Sequence, residues 1–356
     1  MRMGSGIGIL TFHRCINYGS YWQARCLVEG LSETGAKVEL LDHDCLEVRR
    51  AEMRCALQPT LPEPSSGKHR IAYKAKTRRF EQAFEDFPQS RRFSLHDGSA
   101  LPRYDAVVVG SDEVWNLAHP WYGHKPLFYG EGLKADRLLS YAASFGNYDA
   151  ERGLDDYWRD KLARFSAISV RDNNSRMLVA EALGQEPPLV LDPCLQFADH
   201  IPREPSTVEK GYALVYGHGF PDWLGPVARE WAVSRGVRLI SVGYACDFAD
   251  EERIDVGPLD FPGFVAGAEA VITNFFHGCV FALAFGKPFA ATVTPYRLNK
   301  VRDLTAKLGA DKHLLRGPTD LENFAELLDR PPAPQVERRI EELRGTSQAY
   351  LDAALA

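Results

Sequence analysis

The sequence predicts an α/β protein built as two parallel-sheet domains that face each other across a central cleft. Three observations predict it. Short apolar runs alternate with amphipathic helical stretches along the whole chain, the pattern of repeated β-α-β units. The 356 residues exceed the roughly 250–300 over which one core grows. A proline-rich polar stretch, IPREPSTVE at 201–209, splits the alternation into two halves and reads as a linker. The expected organisation is a first domain over 1–200, the linker, a second domain over 210–335, and a terminal helix over 336–356 that leans back on the first domain.

Taken in order, GIGILTF at 6–12 reads as a buried strand and HRCINYGS at 13–20 as a loop. Residues 21–35 read as a helix, because Trp22, Cys26 and Leu27 recur at helical spacing and Gly35 can end it. AKVELLDHD at 36–44 is the second strand, which completes a β-α-β opening with parallel pairing. Residues 56–70 form a Pro/Ser loop. Residues 71–92 form a basic-aromatic helix with Tyr73, Phe80, Phe84 and Phe87 as a packing stripe. Its basic side reads as solvated surface, or as a rim for an anionic substrate or for peripheral contact with a membrane.

YDAVVVG at 104–110 is a clean strand, SYAASFG at 140–146 another, and a helix runs from about 151 to 165. FSAISVRD is a strand ending at Arg171 and Asp172, and VLDPCL at 190–195 closes the half, with Asp192 fixing a turn. In the second half, strands at GYALVYGHG, VRLISVGY, AVITNFF and KPFAATV alternate with helices at 223–236 and 277–286. Residues 318–330 form a helix capped by Thr319 or Asp320, PPAP interrupts it, and 336–355 form the last one. Each half is Rossmann-like in its alternation.

Hydrophobic residues at 45% and charged residues at 25% are ordinary for a globular chain and exclude global disorder. A net charge of -6 argues against a nucleic-acid partner, which needs many basic groups facing phosphate. No apolar run approaches the roughly 20 residues of a membrane helix, and the start leads straight into patterned structure rather than a signal peptide. A cytoplasmic location is expected, at most peripheral to the inner face of the membrane. The seven cysteines form no CxxC pair and no zinc-type ladder. Cys15 and Cys279 fall in candidate site loops and read as small packing residues.

Parallel sheets hold ligands beyond the carboxyl ends of their strands, which selects four loops. In Asn17-Tyr18-Gly19-Ser20 the residues suit either a helix cap or an anion bound at a helix start. In Gly110-Ser111-Asp112-Glu113-Val114-Trp115-Asn116, Gly110 permits a tight turn, Ser111 and Asp112 suit capping or hydroxyl contacts, and Asp112 or Glu113 suits a base. Trp115 suits sugar stacking or burial. Arg171 ends a core strand and invites an oxyanion, or else an ion pair with its neighbour Asp172. In Asn274-Phe275-Phe276-His277-Gly278, His277 opens a helix and is placed for anion binding and proton transfer. Lys287, before Pro288, suits a phosphate contact or solvated surface.

The ordered set GILTFHRCINYGSYWQA, YDAVVVGSDEVWN, SYAASFG, AISVRD, LDPCL and ITNFFHGCVFALAFGKPF, spanning about 7–290, resembles the polysaccharide pyruvyl transferase family. The resemblance implies a GT-B-like pair of Rossmann-like domains with parallel sheets facing a central cleft. It implies a cell-envelope role in polysaccharide biosynthesis. The implied reaction moves a pyruvyl group from phosphoenolpyruvate to two hydroxyls of a sugar, giving a cyclic ketal and phosphate. The implied acceptor is a sugar, a nucleotide-sugar or a lipid-linked glycan, and no cofactor or metal is implied. Arg171 and loop amides at Asn17–Ser20 or His277–Gly278 would hold the donor, His277 would be the acid, and Asp112 or Glu113 would serve the acceptor. The chain departs from the family's pattern at Phe275, where many members carry Arg, at Glu113, where Gln is common, and at Trp22, where an aliphatic residue is commoner. Two other readings stand beside this one: a GT-B-like transferase with a nucleotide-sugar donor, and a non-catalytic ligand-binding or assembly protein of a glycan pathway.

Overall fold

The computed structural model describes residues 6–206, 210–292, 294 and 298–356; positions 207–209 of the expected linker lie outside the described residues. The first lobe runs β1 (Ile7–Leu10), α1 (Tyr18–Ser32), β2 (Val38–Leu40), β3 (His43–Asp44), α2 (Leu46–Leu57), α3 (Gly67–Phe84), β4 (Phe93–Ser94), β5 (Tyr104–Val109), β6 (Ala135–Ser140), α4 (Asp156–Leu162), α5 (Asn173–Leu183) and α6 (Pro193–Gln196). The second runs β7 (Tyr212–Tyr216), α7 (Leu224–Arg235), β8 (Arg238–Val242), β9 (Glu251–Arg253), α8 (Phe261–Gly267), β10 (Ala270–Thr273), α9 (Phe276–Ala284), β11 (Phe289–Thr292), α10 (Leu298–Leu308), β12 (Leu314–Leu315) and α11 (Phe324–Asp329), and the chain closes with α12 (Pro334–Leu355).

Each lobe carries a parallel sheet, in the order β2-β1-β5-β6 and β12-β11-β10-β7-β8-β9. The central strands β1, β7 and β10 are buried along their whole length, as expected of a parallel sheet covered on both faces. In the first sheet the chain moves from β1 outward to β2 and returns to the other side of β1 at β5. In the second it moves from β7 outward to β8 and returns to the other side of β7 at β10. Each sheet therefore has a switch point, the place where strand-end loops diverge and leave a crevice.

The lobes share an apolar core. One buried cluster runs through Ile9, Tyr18, Trp22 and Leu27 of the first lobe and Leu214, Phe261, Phe276 and Val280 of the second. Helix α1 is the bridge: Tyr18 Oη donates to Val256 O at 2.7 Å, and Trp22 Nε1 to Pro258 O at 2.8 Å. Helix α12 returns to the first lobe, where Tyr350 Oη donates to Ser140 O at 2.6 Å and Ser347 Oγ accepts from Leu191 N at 2.9 Å.

Several elements differ from the expectation. Helix α1 begins at Tyr18, three residues early, because Asn17 caps it. The strand expected at SYAASFG ends at Ser140 and starts at Ala135; its half-exposed edge position gave it no apolar run. FSAISVRD forms no ladder, and Ala167 and Val170 make single bridges to Leu139, Ala143 and Leu189. The helix expected over 151–165 is a short turn at 150–152 followed by α4. The helix over 71–92 is shorter and starts earlier, at Gly67–Phe84, and it is no simple surface helix: Tyr73, Lys76, Thr77, Phe80, Ala83 and Phe84 are buried. Its exposed side carries Lys68, Arg70, Lys74, Arg78 and Arg79 together with Glu81. Among the described residues, no helix is long and apolar enough to cross a membrane.

Trp22 is fully buried at the lobe junction and hydrogen-bonded across it. Trp22→Ala is expected to destabilise the protein by about 3–5 kcal/mol, read as a lowered denaturation midpoint in guanidinium.

Candidate active site

Both switch points open onto one cavity of about 270 Å³ between the lobes. From the first lobe it is lined by Phe12, Cys15, Ile16 and Asn17 after β1, and by Asp112 and Glu113 after β5. From the second it is lined by Tyr216 and His218 at the end of β7, and by Phe275, Phe276 and His277 after β10. Arg171, Lys300 and Lys76 complete its charged wall.

Arg171 has a side chain only 2% exposed, so its charge must be compensated within the fold. Its expected partner, Asp172, is used elsewhere: it caps α5, accepting from Ser175 N at 2.8 Å, and accepts from Ser144 Oγ at 2.6 Å. Arg171 instead donates from Nη1 to Asp192 Oδ2 at 2.9 Å and Ser111 Oγ at 3.3 Å, and from Nη2 to Asp112 Oδ1 at 3.4 Å. The ring of Phe276 lies 4.7 Å from the guanidinium carbon. A guanidinium has five N–H donors. Three are used here, and the buried Nε has no hydrogen-bond partner in the protein.

Asp192 joins this cation to the histidine. It caps α6, accepting from Cys194 N at 3.0 Å, and its Oδ2 lies 3.5 Å from His277 Nε2. Burial opposes its charge, but His277, Arg171 and the Cys194 N–H outweigh burial and hold the carboxyl well below its ordinary range. His277 Nε2 is buried without a hydrogen-bond partner in the protein, so it sits at ion-pair distance from a carboxylate without bonding geometry. Helix α9 starts beside it with no side-chain cap, so its positive end contributes to the same wall.

Two glycines let this happen. A Cβ on Gly19 would lie 2.0 Å from His277 Nδ1, so the first turn of α1 can rest on the imidazole only as glycine. A Cβ on Gly278 would lie 2.0 Å from Thr273 Oγ1, so α9 can turn directly out of β10.

Asp112 has a left-handed backbone, φ 76°, which turns its carboxylate back onto the loop. It accepts from Ser20 Oγ at 2.7 Å and from Glu113 N at 2.9 Å. Glu113 is paired with Lys300 and accepts from Asn116 Nδ2 at 2.7 Å. Burial pushes the Glu113 carboxyl up, but Lys300 dominates and brings it to about 2.

The polysaccharide pyruvyl transferase profile matches residues 17–294. The chain belongs to the polysaccharide pyruvyl transferase family. It is accordingly a transferase-like enzyme with a pyruvyl-transferase-like role in polysaccharide biosynthesis. No curated protein matches it. Among solved structures it is similar to an O-GlcNAc transferase mutant from Thermobaculum terrenum, at 12% identity and TM-score 0.46, covering 98% of this chain and 66% of that one. It is similar to MnaA of S. aureus with UDP, at 12% identity and TM-score 0.49, covering 95% of this chain and 90% of that one. It is also similar to the UDP-GlcNAc 2-epimerase of Methanocaldococcus jannaschii, at 14% identity and TM-score 0.49, covering 92% and 93%.

In this pyruvyl transferase family member the cavity gathers Asn17, Ser20, Asp112, Glu113, Arg171 and His277. Asn17 takes the capping role, with its side chain accepting from Gly19 N at 2.8 Å and Ser20 N at 3.2 Å. Of the two readings of Asn17–Ser20, capping is therefore the one these two amides serve. Tyr18 is wholly buried and stacks on Phe261 at 4.2 Å. Gly110, with φ +118°, backs onto Tyr141 O, and Ser111 is buried beside Arg171. Trp115 does not reach the cavity; it is fully buried and donates to Phe128 O at 2.9 Å. Asn116 braces Glu113. Asn274 donates to His218 O at 2.7 Å, holding the two second-lobe loops together. Lys287 is removed from the site, donating to Ala266 O and Ala268 O.

Lys76, Glu52, His119, His218, Tyr216 and Lys300 also line the cavity, with no motif in the sequence to mark them, and Asp192 is more than the turn residue expected. Lys76 donates to Gly243 O at 2.9 Å and lies over the rings of Tyr244 at 4.1 Å, Tyr18 at 5.2 Å and Tyr73 at 6.0 Å. Burial pushes it down to about 7. Glu52 accepts from Cys15 Sγ at 3.2 Å and Trp121 Nε1 at 2.6 Å, and burial pushes its carboxyl up. The same burial drives the Cys15 thiol well above its ordinary range, which leaves it unreactive. Cys279 is buried in α9.

Gly19→Ala is expected to destabilise the protein by about 1–3 kcal/mol from overpacking against His277, despite the better helix propensity of alanine. Chemical denaturation with unchanged far-ultraviolet helicity checks it. Glu113 sets a pH dependence. Its folded value of about 2 lies below its ordinary 4.5, so its pairing with Lys300 stabilises fully above about 4.5 and is lost as pH falls toward 2. Glu113→Gln should flatten that part of the stability profile, measured by denaturation between pH 5 and pH 2.5.

Proposed function

We propose that this enzyme transfers the pyruvyl group of phosphoenolpyruvate to two hydroxyls of a sugar or glycan acceptor, forming a cyclic ketal and releasing phosphate. Family membership supports the reaction class. The observation that carries the reading is the buried Arg171–Asp192–His277 constellation at the uncapped start of α9, in the cavity where both switch points meet. Both side chains face a cavity rather than a packed core, which favours an enzyme over a degenerate binding protein. Two such lobes are in keeping with the GT-B-like arrangement that the family implies.

In this reading the free N–H groups of Arg171 and the first turn of α9 hold the donor's negative groups. His277 gives a proton to the methylene carbon, making it a methyl group and leaving the neighbouring carbon an oxocarbenium-like electrophile. Asp192, at ion-pair distance from Nε2, stays ionised beside the imidazole and favours its charged form. The first acceptor hydroxyl adds to that carbon and loses its proton to Asp112. The carbon–oxygen bond to phosphate then breaks, and the second hydroxyl adds and closes the ketal. Of the two hydroxyl protons released, one replaces the proton given by His277 and one leaves with phosphate. Holding both hydroxyls against one carbon is an orientation task, which a cavity between two lobes suits.

Phosphoenolpyruvate is expected to bind the wild-type protein saturably in calorimetry and to release phosphate when a panel of sugars, nucleotide-sugars and lipid-linked glycans is supplied. His277→Asn should retain donor binding within a few-fold while phosphate release falls by about 10²–10⁴. Arg171→Lys should weaken donor binding, because a point charge does not reproduce the guanidinium fork. Absence of donor binding and of phosphate release with every acceptor would sink the reading.

A further inference from the structure

We infer that Lys76 is the residue that receives an oxyanion of the substrate in this cavity, an inference that rests on the donor reading above. Of the three strong cations that line the cavity, Arg171 is matched by Asp112 and Asp192, and Lys300 by Glu113. Lys76 has no carboxylate within ion-pair distance among the described residues. Lys76 is 2% exposed; its ammonium carries three N–H donors and, among the described residues, donates to one acceptor, the Gly243 carbonyl. A buried ammonium without a counter-charge is costly, and a fold that needed only packing here would be served better by an apolar side chain. The ammonium also stands within an aromatic enclosure of Tyr18, Tyr73 and Tyr244, which stabilises a cation without neutralising it.

Its place in the cavity fits the role. The Tyr244 ring touches Phe275 at 5.1 Å between centroids, and Phe275 sits on the turn that carries His277 two residues later. Helix α3 of the first lobe delivers Lys76 across the lobe junction, so a substrate anion held by it lies beside Gly243 and Tyr244, on the second-lobe side of the cavity that His277 also lines. Burial brings Lys76 to about 7, where an arriving anion restores its proton. The titratable groups facing it are the hydroxyls of Tyr18, Tyr73 and Tyr244 and the thiol of Cys55. Burial drives Tyr18 and Tyr73 above their ordinary range.

The test compares calorimetric titrations of wild type and Lys76→Met with phosphoenolpyruvate, inorganic phosphate and pyruvate, from pH 7 to pH 9, both in a Cys55→Ser background. Lys76→Met should fold with a melting temperature at or above that of the wild type. It should bind phosphoenolpyruvate at least about tenfold more weakly, since one charge-assisted contact is worth that much. Wild-type affinity should fall as pH rises from 7 to 9, because the free lysine deprotonates, and the variant should be flat. Loss of phosphate binding alone assigns the phosphate group to Lys76, and loss of pyruvate binding alone assigns the carboxylate. Inorganic phosphate binding that depends on Lys76, without phosphoenolpyruvate binding, keeps the anion site and overturns the donor reading. Equal affinities in wild type and variant, or no binding of any of the three anions to wild type, overturns the inference. Lys76→Gln repeats the comparison should the methionine variant fail to fold.

Discussion

The site depends on one buried charge. The guanidinium of Arg171 cannot stand alone in the interior, and the carboxylates that neutralise it come from widely separated places: Asp112 after β5 and Asp192 at the start of α6. Removing water from these groups makes the attraction between them strong and its loss costly. The ion pairs therefore fix two loops that have no ladder between them. Asp192 then reaches the second lobe at His277, while Asp112 reaches back to Ser20 on α1. A single cation thereby sets the relative positions of the acid candidate, the base candidate and the helix that bridges the lobes.

The architecture was legible because parallel sheets announce themselves. Their strands are buried on both faces, so YDAVVV and AVIT stand out as unbroken apolar runs, and the ligand rule for strand ends then selects the loops holding Asp112, Arg171 and His277. Edge elements were harder to see. Helix α2 buries only Val48, and β6 begins with half-exposed residues, so neither has a clear period. Helix α5 buries only Ser175, Leu178 and Val179 and so has little apolar period, although Asp172 followed by Ser175 is a readable cap.

The partners of charges were the least legible part. Asp172 is the neighbour of Arg171 in sequence, yet backbone geometry sends the two side chains to different tasks. Lys76 looks like one of several cations on a basic helix, and only the three-dimensional position of Tyr244, 168 residues away in sequence by subtraction of the two residue numbers, distinguishes it from Lys74. The capping power of Asn17 was readable, but the reason for Gly19 was not, since the ring that occupies its missing side chain belongs to a histidine in the other lobe.

Helix α12 carries a consequence for how the chain is made. It binds Ser140 and Leu191 of the first lobe, although it follows the whole second lobe in sequence. As the chain emerges from the ribosome, the first lobe therefore waits with an uncovered flank until residues 334–355 have been synthesised. That lobe is not an independently finished folding unit, and its last contacts have the long sequence separation that makes folding slow. The first lobe is thus completed only after the second has been made, and the two are tied at biogenesis as well as at the cavity.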